Sequence, residues 1–304
     1  MSTKQQKKHF RKRVFFFVAG MLLFVAPFAF LLTATGYLSG AYDADIGAAA
    51  AQSEPTVHRA MCLRMPLSWI VWQPDTLLSR LEENPLYALV FALILLAIFI
   101  GPLFCGWLCP GIMTEHLSRL VPDRWKIDLK GIVDPAPVRY GFMVGFFLMA
   151  APFINKSICC SYCNWTWVED TWLVLFGDMD GVTGGSLFQF SSSSIITFLL
   201  AFGFLGVFMK GGRGWCNFLC PAGALQNLAH WLGARFRFTY KLLLESDRCN
   251  DCMNCVDACP TRAILPARKN VSINRHICNG CKECVAACPR EALAYCKGGL
   301  HDKQ

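Results

Sequence analysis

The chain has 304 residues, of which 54% are apolar, with a mean hydropathy of +0.38, 24 Phe and 9 Trp. That composition excludes an ordinary soluble domain and is that of a membrane protein. The net charge of +8 is unevenly placed, in clusters that orient a chain in a membrane rather than bind nucleic acid.

Lys4, Lys7, Lys8, Arg11, Lys12 and Arg13 come first, with no acid among them. Val14 to Tyr37 follows, free of charge and long enough to cross a hydrocarbon core of about 30 Å. A cleaved signal peptide ending near Ala48-Ala49-Ala50 is the weaker reading, because the apolar run is too long and the alanines lie too far beyond it. Three further spans are predicted at Leu86 to Phe104, Tyr140 to Ile158 and Ser192 to Met209. The last opens on four serines, which helix neighbours can satisfy. Loop 38–85 carries three basic and six acidic residues, and loop 159–191 has Glu169, Asp170, Asp178 and Asp180 with no basic residue. Loop 105–139 has Arg119, Arg124, Lys126, Lys130 and Arg139. This asymmetry puts residues 1–13, 105–139 and 210–304 in the cytoplasm, with both termini inside.

The spans contain a repeat. Phe104-Cys105-Gly106-Trp107-Leu108-Cys109-Pro110 ends the second, and Trp215-Cys216-Asn217-Phe218-Leu219-Cys220-Pro221 follows the fourth. Two halves of two spans each, closed by Cys-x-x-x-Cys-Pro, predict packing about a pseudo-twofold axis that brings Cys105, Cys109, Cys216 and Cys220 together. Proline after each second cysteine favours a fresh helix start. Three readings of these thiols stay open: ligands of a metal or iron–sulfur centre, two redox dithiols, or small apolar packing groups. Cys62, Cys159, Cys160 and Cys163 lie in the outer loops, near Trp69, Trp72, Trp165, Trp167 and Trp172, which read as interfacial anchors. Disulfides suit an oxidising compartment, and a further metal centre is the alternative. Asp178-Met-Asp180-Gly181 reads as a turn, since a calcium loop needs later ligands.

The C-terminal stretch carries the strongest pattern. Cys249, Cys252, Cys255 and Cys259-Pro260 recur, displaced by 29 residues, as Cys278, Cys281, Cys284 and Cys288-Pro289. This is the bacterial ferredoxin spacing for two [4Fe-4S] clusters, in which the fourth ligand of each crosses from the other half. Cys249, Cys252, Cys255 and Cys288 are therefore expected to hold one cluster, and Cys278, Cys281, Cys284 and Cys259 the other. Two identical frames weigh against zinc. Ile264, Val271, Ile273 and Leu293 read as strand or core positions, and Cys296 as a buried thiol.

Four spans, two Cys-x-x-x-Cys-Pro motifs and a two-cluster ferredoxin together resemble the NapH family, across most of the chain from Val14 to Tyr295. The resemblance implies a bacterial inner-membrane, multi-pass protein that passes electrons from quinol to a periplasmic acceptor, an iron–sulfur or cytochrome partner protein. The outer-loop cysteines depart from that family's pattern. The expected fold is mainly α: four transmembrane helices as two pseudo-twofold repeats, plus a small C-terminal α+β ferredoxin-like domain. The expected units are a basic N-terminus (1–13), a membrane domain (14–245), a ferredoxin domain (246–295) and a tail (296–304). Trp107 and Trp215 are candidates for a quinol pocket, and His116 and His230 for its proton acceptors, although lone histidines in polar stretches are more often ordinary surface residues. No Cys-x-x-Cys-His, no histidine within a span, no Gly-x-Gly-x-x-Gly and no phosphate loop appear, so haem, flavin and nicotinamide have no motif. A maturation or sensing protein that reduces a metal or thiol is the alternative to an electron-transfer subunit.

Overall fold

A computed structural model describes residues 4–20, 74–76, 88–129, 132–145 and 199–298. The outer-loop residues singled out above, including Cys62, Cys159, Cys160 and Cys163, lie outside the described residues. Most of what is described is helical: α1 (Lys4–Gly20), α2 (Ala88–Ile100), α3 (Gly111–Leu120), α4 (Pro135–Phe142), a π-helical segment (Leu199–Val207), α5 (Gly214–Phe218) and α6 (Pro221–Gly233). The remainder is a small α+β unit of β1 (Tyr240–Leu244), α7 (Asn254–Ala258), β2 (Ile264–Pro266), β3 (Val271–Ile273), α8 (Glu283–Ala287) and β4 (Leu293–Lys297).

No described helix is long and apolar enough to cross a membrane. Of the four predicted spans, only residues 14–20, 88–104, 140–145 and 199–209 are described. What is described is apolar on its outside. Helix α2 reads ALVFALILLAIFI, without a polar residue to mark a solvent face. It packs on α6 closely enough that a Cβ at Gly233 would strike the carbonyl of Ile98. Ala97 is buried there, while Leu95, Leu96 and Phe99 are exposed. Leu199, Leu200 and Phe204, and in α1 Phe15 and Phe16, are exposed likewise.

The α+β unit repeats itself as its sequence does. Asp251, Met253 and Arg262 hold left-handed backbone, and 29 residues later so do Gly280, Lys282 and Glu291. Met253 and Lys282 thereby turn the chain into the five-residue helices α7 and α8. Strand β1 pairs antiparallel with β4, Leu242 opposite Tyr295, and β2 pairs with β3, Ile264 opposite Ile273. Leu242, Val256, Ile264, Val271, Ile277 and Leu293 form the core between them. Ile264, Val271 and Leu293 thus take the strand and core places expected of them, and Ile273 packs against that core from β3. Strand β1, ahead of residue 246, forms a two-stranded sheet with β4, and its fully buried Lys241 donates to the carbonyls of Ala234 and Phe236 at 2.7 Å. The open C-terminal end of α6 is satisfied in this way.

A buried ionic network joins the parts. Arg13 of α1 pairs with Glu115 of α3 at 2.9 Å and with Glu283 of α8 at 2.8 Å. Arg213 reaches Glu115 from the other side, its Nε donating at 3.1 Å, and Arg119 pairs with Glu115 at 2.9 Å. Arg13, Glu115, Arg213 and Glu283 are all fully buried. Burial alone would raise the Glu115 carboxyl, but Arg13 and Arg213 outweigh it and hold it at about 2. Glu115→Gln should leave buried guanidinium groups undercompensated and cost about 3–5 kcal/mol, read as a lower unfolding midpoint. Because the folded value lies below the ordinary one of 4.5, the contribution of Glu115 is full above about pH 4.5 and is lost as pH falls through about 2. The wild-type advantage over Glu115→Gln should shrink across that window and nowhere above it.

Candidate metal centres

Two cavities in the α+β unit are ringed by the duplicated cysteines. One is lined by Cys249, Cys252, Cys255 and Cys288, with Leu244, Val271 and Leu293 as apolar wall. The other is lined by Cys259, Cys278, Cys281 and Cys284, with Leu242, Ile264 and Tyr295. Each cavity thus takes three cysteines from one frame and the fourth from the other. Equivalent backbone contacts repeat here too. Ala263 N donates to Cys259 Sγ at 3.2 Å, and Ala292 N to Cys288 Sγ at 3.3 Å.

Burial pushes Cys255 and Cys278 up to about 11, and Cys281 and Cys284 are also well raised by burial. Thiolates in such apolar pockets need positive charge delivered at the sulfurs, which iron supplies. Four soft ligands around an apolar hollow therefore fit a [4Fe-4S] core. Among the described residues no three His, Cys, Asp or Glu side chains close on a point as a single metal ion requires.

The motif cysteines converge beside the second cavity. Cys105 begins in the π-helical turn Phe104–Leu108, and Cys109 follows in extended backbone before α3. Cys220 caps α6, its Sγ accepting from Gly223 N at 3.4 Å, and Pro221 is the first residue of that helix. Cys109, from one motif, donates to Cys216 of the other, which draws Cys216 down and pushes Cys109 up. Burial pushes Cys105 up to about 12, and its Sγ donates to Gln226 Oε1 at 3.2 Å. Both motifs touch the α+β unit. A Cβ at Gly106 would lie 2.5 Å from Asn279 O and 3.0 Å from Cys281 N. Asn217 Nδ2 donates to Thr261 O at 3.2 Å, and the Thr261 hydroxyl is 3.7 Å from Cys259 Sγ. Gly211, with φ +93°, leaves room for Pro260 in the same way.

The other candidates are scattered. Trp107 donates to Gly280 O at 3.3 Å and meets His9 and Phe16 edge-on, while Trp215 is buried in α5. His116 is exposed and stacked on Phe10. His230 is not the surface residue that its polar surroundings in sequence suggest. It is 2% exposed between α6 and α2, and burial holds it down at about 4. Cys296 is half-buried in β4 opposite Lys241. The sequence reading missed the cations. Arg213 Nη1 donates to Cys105 O at 3.1 Å and lies 3.9 Å from Cys216 Sγ, and Arg139 Nη1 donates to Cys216 O at 3.0 Å. The available signal was that Arg213 precedes Cys216 by three residues, on the turn side of the second motif.

Cys259→Ser should damage the cavity of the second frame, with loss of one cluster's EPR signal while the Cys249 frame keeps its own. Gly106→Ala should loosen the junction between the first motif and the Cys281 loop, read as faster proteolysis there with both cavities still loaded with iron.

A 4Fe-4S dicluster domain matches residues 241–292, and a 4Fe-4S binding domain matches twice, at 85–128 and 194–239, each match covering one Cys-x-x-x-Cys-Pro motif. The ferredoxin-type protein NapH of Haemophilus influenzae is 26% identical over 66% of this chain and 63% of its own length. NapH of Escherichia coli is 27% identical over 54% of this chain and 50% of its own. YccM of Escherichia coli is 27% identical over 61% and 48%. The chain thus spans between about half and just under two thirds of the curated relatives it matches. No solved structure matches. The chain is similar to the ferredoxin-type proteins NapH and YccM, and its ferredoxin domains bind 4Fe-4S clusters through cysteine motifs.

Proposed function

We propose that the chain is a membrane-bound iron–sulfur electron-transfer protein that takes electrons from the quinol pool and passes them to a redox partner outside the membrane. In this reading Cys249, Cys252, Cys255 and Cys288 hold one [4Fe-4S] cluster, and Cys259, Cys278, Cys281 and Cys284 the second. Cys105, Cys109, Cys216 and Cys220 hold a further redox centre at the membrane edge. A [4Fe-4S] cluster supplies reversible one-electron storage at a site where the side chains themselves cannot change oxidation state.

The observation that carries the reading is the double contact between motifs and cavity. Gly106, inside the first motif, lies against the backbone of Cys281. Asn217, inside the second, is tied through Thr261 to Cys259. Two cysteine sets set this close serve transfer better than two independent structural sites would. The membrane part of the reading is supported by composition and by the exposed Phe15, Phe16, Leu95, Phe99, Leu199 and Phe204 on three predicted spans. Basic Lys7, Lys8, Arg11 and Lys12 are exposed just ahead of the first of these, as a cytoplasmic flank requires. The quinol part rests on the resemblance to NapH, and electron transport is also what the name of YccM describes.

Replacing Cys109 and Cys220 together by Ser should leave both ferredoxin clusters assembled and the protein in the membrane. Reduction of the chain by a short-chain quinol, followed optically under argon, should then fall at least about 100-fold, the scale set by losing a preorganised redox site. An unchanged rate in that double variant would reduce the motifs to packing cysteines.

A further inference from the structure

The segment between α6 and β1 exposes side chains that its own folding does not need. Residues 235–238 read Arg-Phe-Arg-Phe, and all four are exposed, Phe236 at 52% and Phe238 at 57%. The loop beneath them is fixed. Ala234 and Thr239 are buried at its two ends. The Thr239 hydroxyl lies 2.7 Å from Gly233 O and 2.9 Å from Phe236 O, and Lys241 donates to the carbonyls of Ala234 and Phe236. Gly298 N donates to Arg237 O at 3.0 Å. Two phenylalanines are thus held outward by a backbone whose carbonyls are engaged, which marks an interaction surface rather than a loose loop.

This patch is continuous with the predicted second span. Phe236 stacks on Phe238 at 5.5 Å, and Phe238 meets Phe99 of α2 at 6.0 Å. Phe99 is itself exposed, one residue from the end of α2, as are Leu96 on the turn before it and Leu232 of α6. The charge beside these rings is of one sign. Arg235 lies over the Trp231 ring at 3.9 Å, and Lys297 over the Tyr240 ring at 5.2 Å. Residues 213–244 contain no acid, and neither α2 nor β4 supplies one. Acids on adjoining segments are engaged elsewhere. Asp134 caps α4, accepting from Ala136 N at 3.1 Å, and Glu245, beyond the far end of β1, pairs with Arg248 at 3.0 Å. Aromatic rings interleaved with cations, where an apolar helix ends, match the boundary between acyl chains and phosphate headgroups. An acidic protein would answer the cations, but the rings run on into the exposed apolar face of α2, which calls for acyl chains.

We propose that residues 235–238 are a docking surface for anionic phospholipid. Phe236 and Phe238 enter the acyl boundary beside Phe99, while Arg235, Arg237 and Lys297 hold headgroup phosphates. The inference rests on the proposed reading of α2 as part of a membrane span. Strand β1 begins two residues beyond Phe238, its Tyr240 opposite Lys297. The same strand lines both cysteine cavities, Leu242 the Cys278 cavity and Leu244 the Cys249 cavity. Lipid bound at 235–238 therefore fixes the β1–β4 sheet, and with it both cavities, relative to the bilayer surface.

The test uses the full chain in nanodiscs of phosphatidylcholine, with or without phosphatidylglycerol, and reads amide hydrogen exchange over residues 232–241. Exchange there should be about tenfold slower with phosphatidylglycerol, the scale of two or three cations at an anionic surface. High salt should shrink that difference. The Arg235→Gln/Arg237→Gln variant should abolish it, and Phe236→Ser/Phe238→Ser should speed exchange in both lipids. Iron content and exchange over residues 255–264 should hold in both variants, because the altered side chains are exposed. Equal exchange in the two lipids, or a phosphatidylglycerol effect that survives the arginine variant, would overturn the anionic-lipid assignment. If the phenylalanine variant exchanged at the wild-type rate, the loop would not enter the bilayer and the patch would be open to an acidic protein instead. A chain stripped from vesicles by alkaline carbonate would sink the membrane reading itself. The wild-type comparison of the two lipids stands as a test even if a variant does not assemble.

Discussion

Glu115 sits where four segments of the chain meet, and its carboxylate holds them by charge. Arg13 comes from the N-terminal helix, Arg213 from the turn before the second motif, and Arg119 from one turn further along its own helix. Through Arg13 the same network reaches Glu283 at the start of α8, between two cysteines of the second cavity. A buried carboxylate with so many guanidinium partners is a weak source of net stability compared with apolar packing, because desolvation consumes most of the attraction. Its value is in register. Moving any one partner by a few ångströms strands a buried charge, so the N-terminal helix, the two motifs and the ferredoxin domain are held to one mutual arrangement.

That arrangement matters because the cysteine sites are separated by contacts with no slack. Gly106 and Gly211 have no side chain where the ferredoxin loops come closest, and Asn217 spans the remaining gap to Thr261. Electron transfer weakens steeply with separation. A fold that fixes these junctions with glycine and buried charge protects function more than it adds stability. The same charge does a second job, since the guanidinium of Arg213 also donates to the Cys105 carbonyl and lies 3.9 Å from Cys216 Sγ.

The ferredoxin unit was legible in the sequence because its chemistry is local. Eight cysteines at fixed steps constrain the backbone within a few residues of each, and the left-handed residues at 253 and 282 fall where those steps demand a turn. The approach of Cys105 and Cys109 to Cys216 has a different signal in the sequence, the repeated motif itself. The ionic network was not legible. Arg13 and Glu283 are 270 positions apart, and nothing in either neighbourhood marks one as the other's partner. Arg13 read as the last of a run of solvated cations, yet it is the member of that run facing inward, beside Phe10 and Phe17 on the buried side of α1. His230 misled in the same way. Its polar neighbours Gln226 and Asn227 suggest a wet face, but all three are buried, His230 beside Gly101 and Gln226 against Cys105.

Strand β1 carries a mechanical consequence. Its buried Lys241 closes the end of α6, and its backbone pairs along its full length with β4. The connection between α6 and the ferredoxin domain is therefore itself part of the ferredoxin sheet, with no slack tether between them. Swinging the domain away to visit a distant partner would tear out an edge strand and expose a lysine ammonium group's buried acceptors. The domain is consequently a fixed terminal rather than a carrier on a leash.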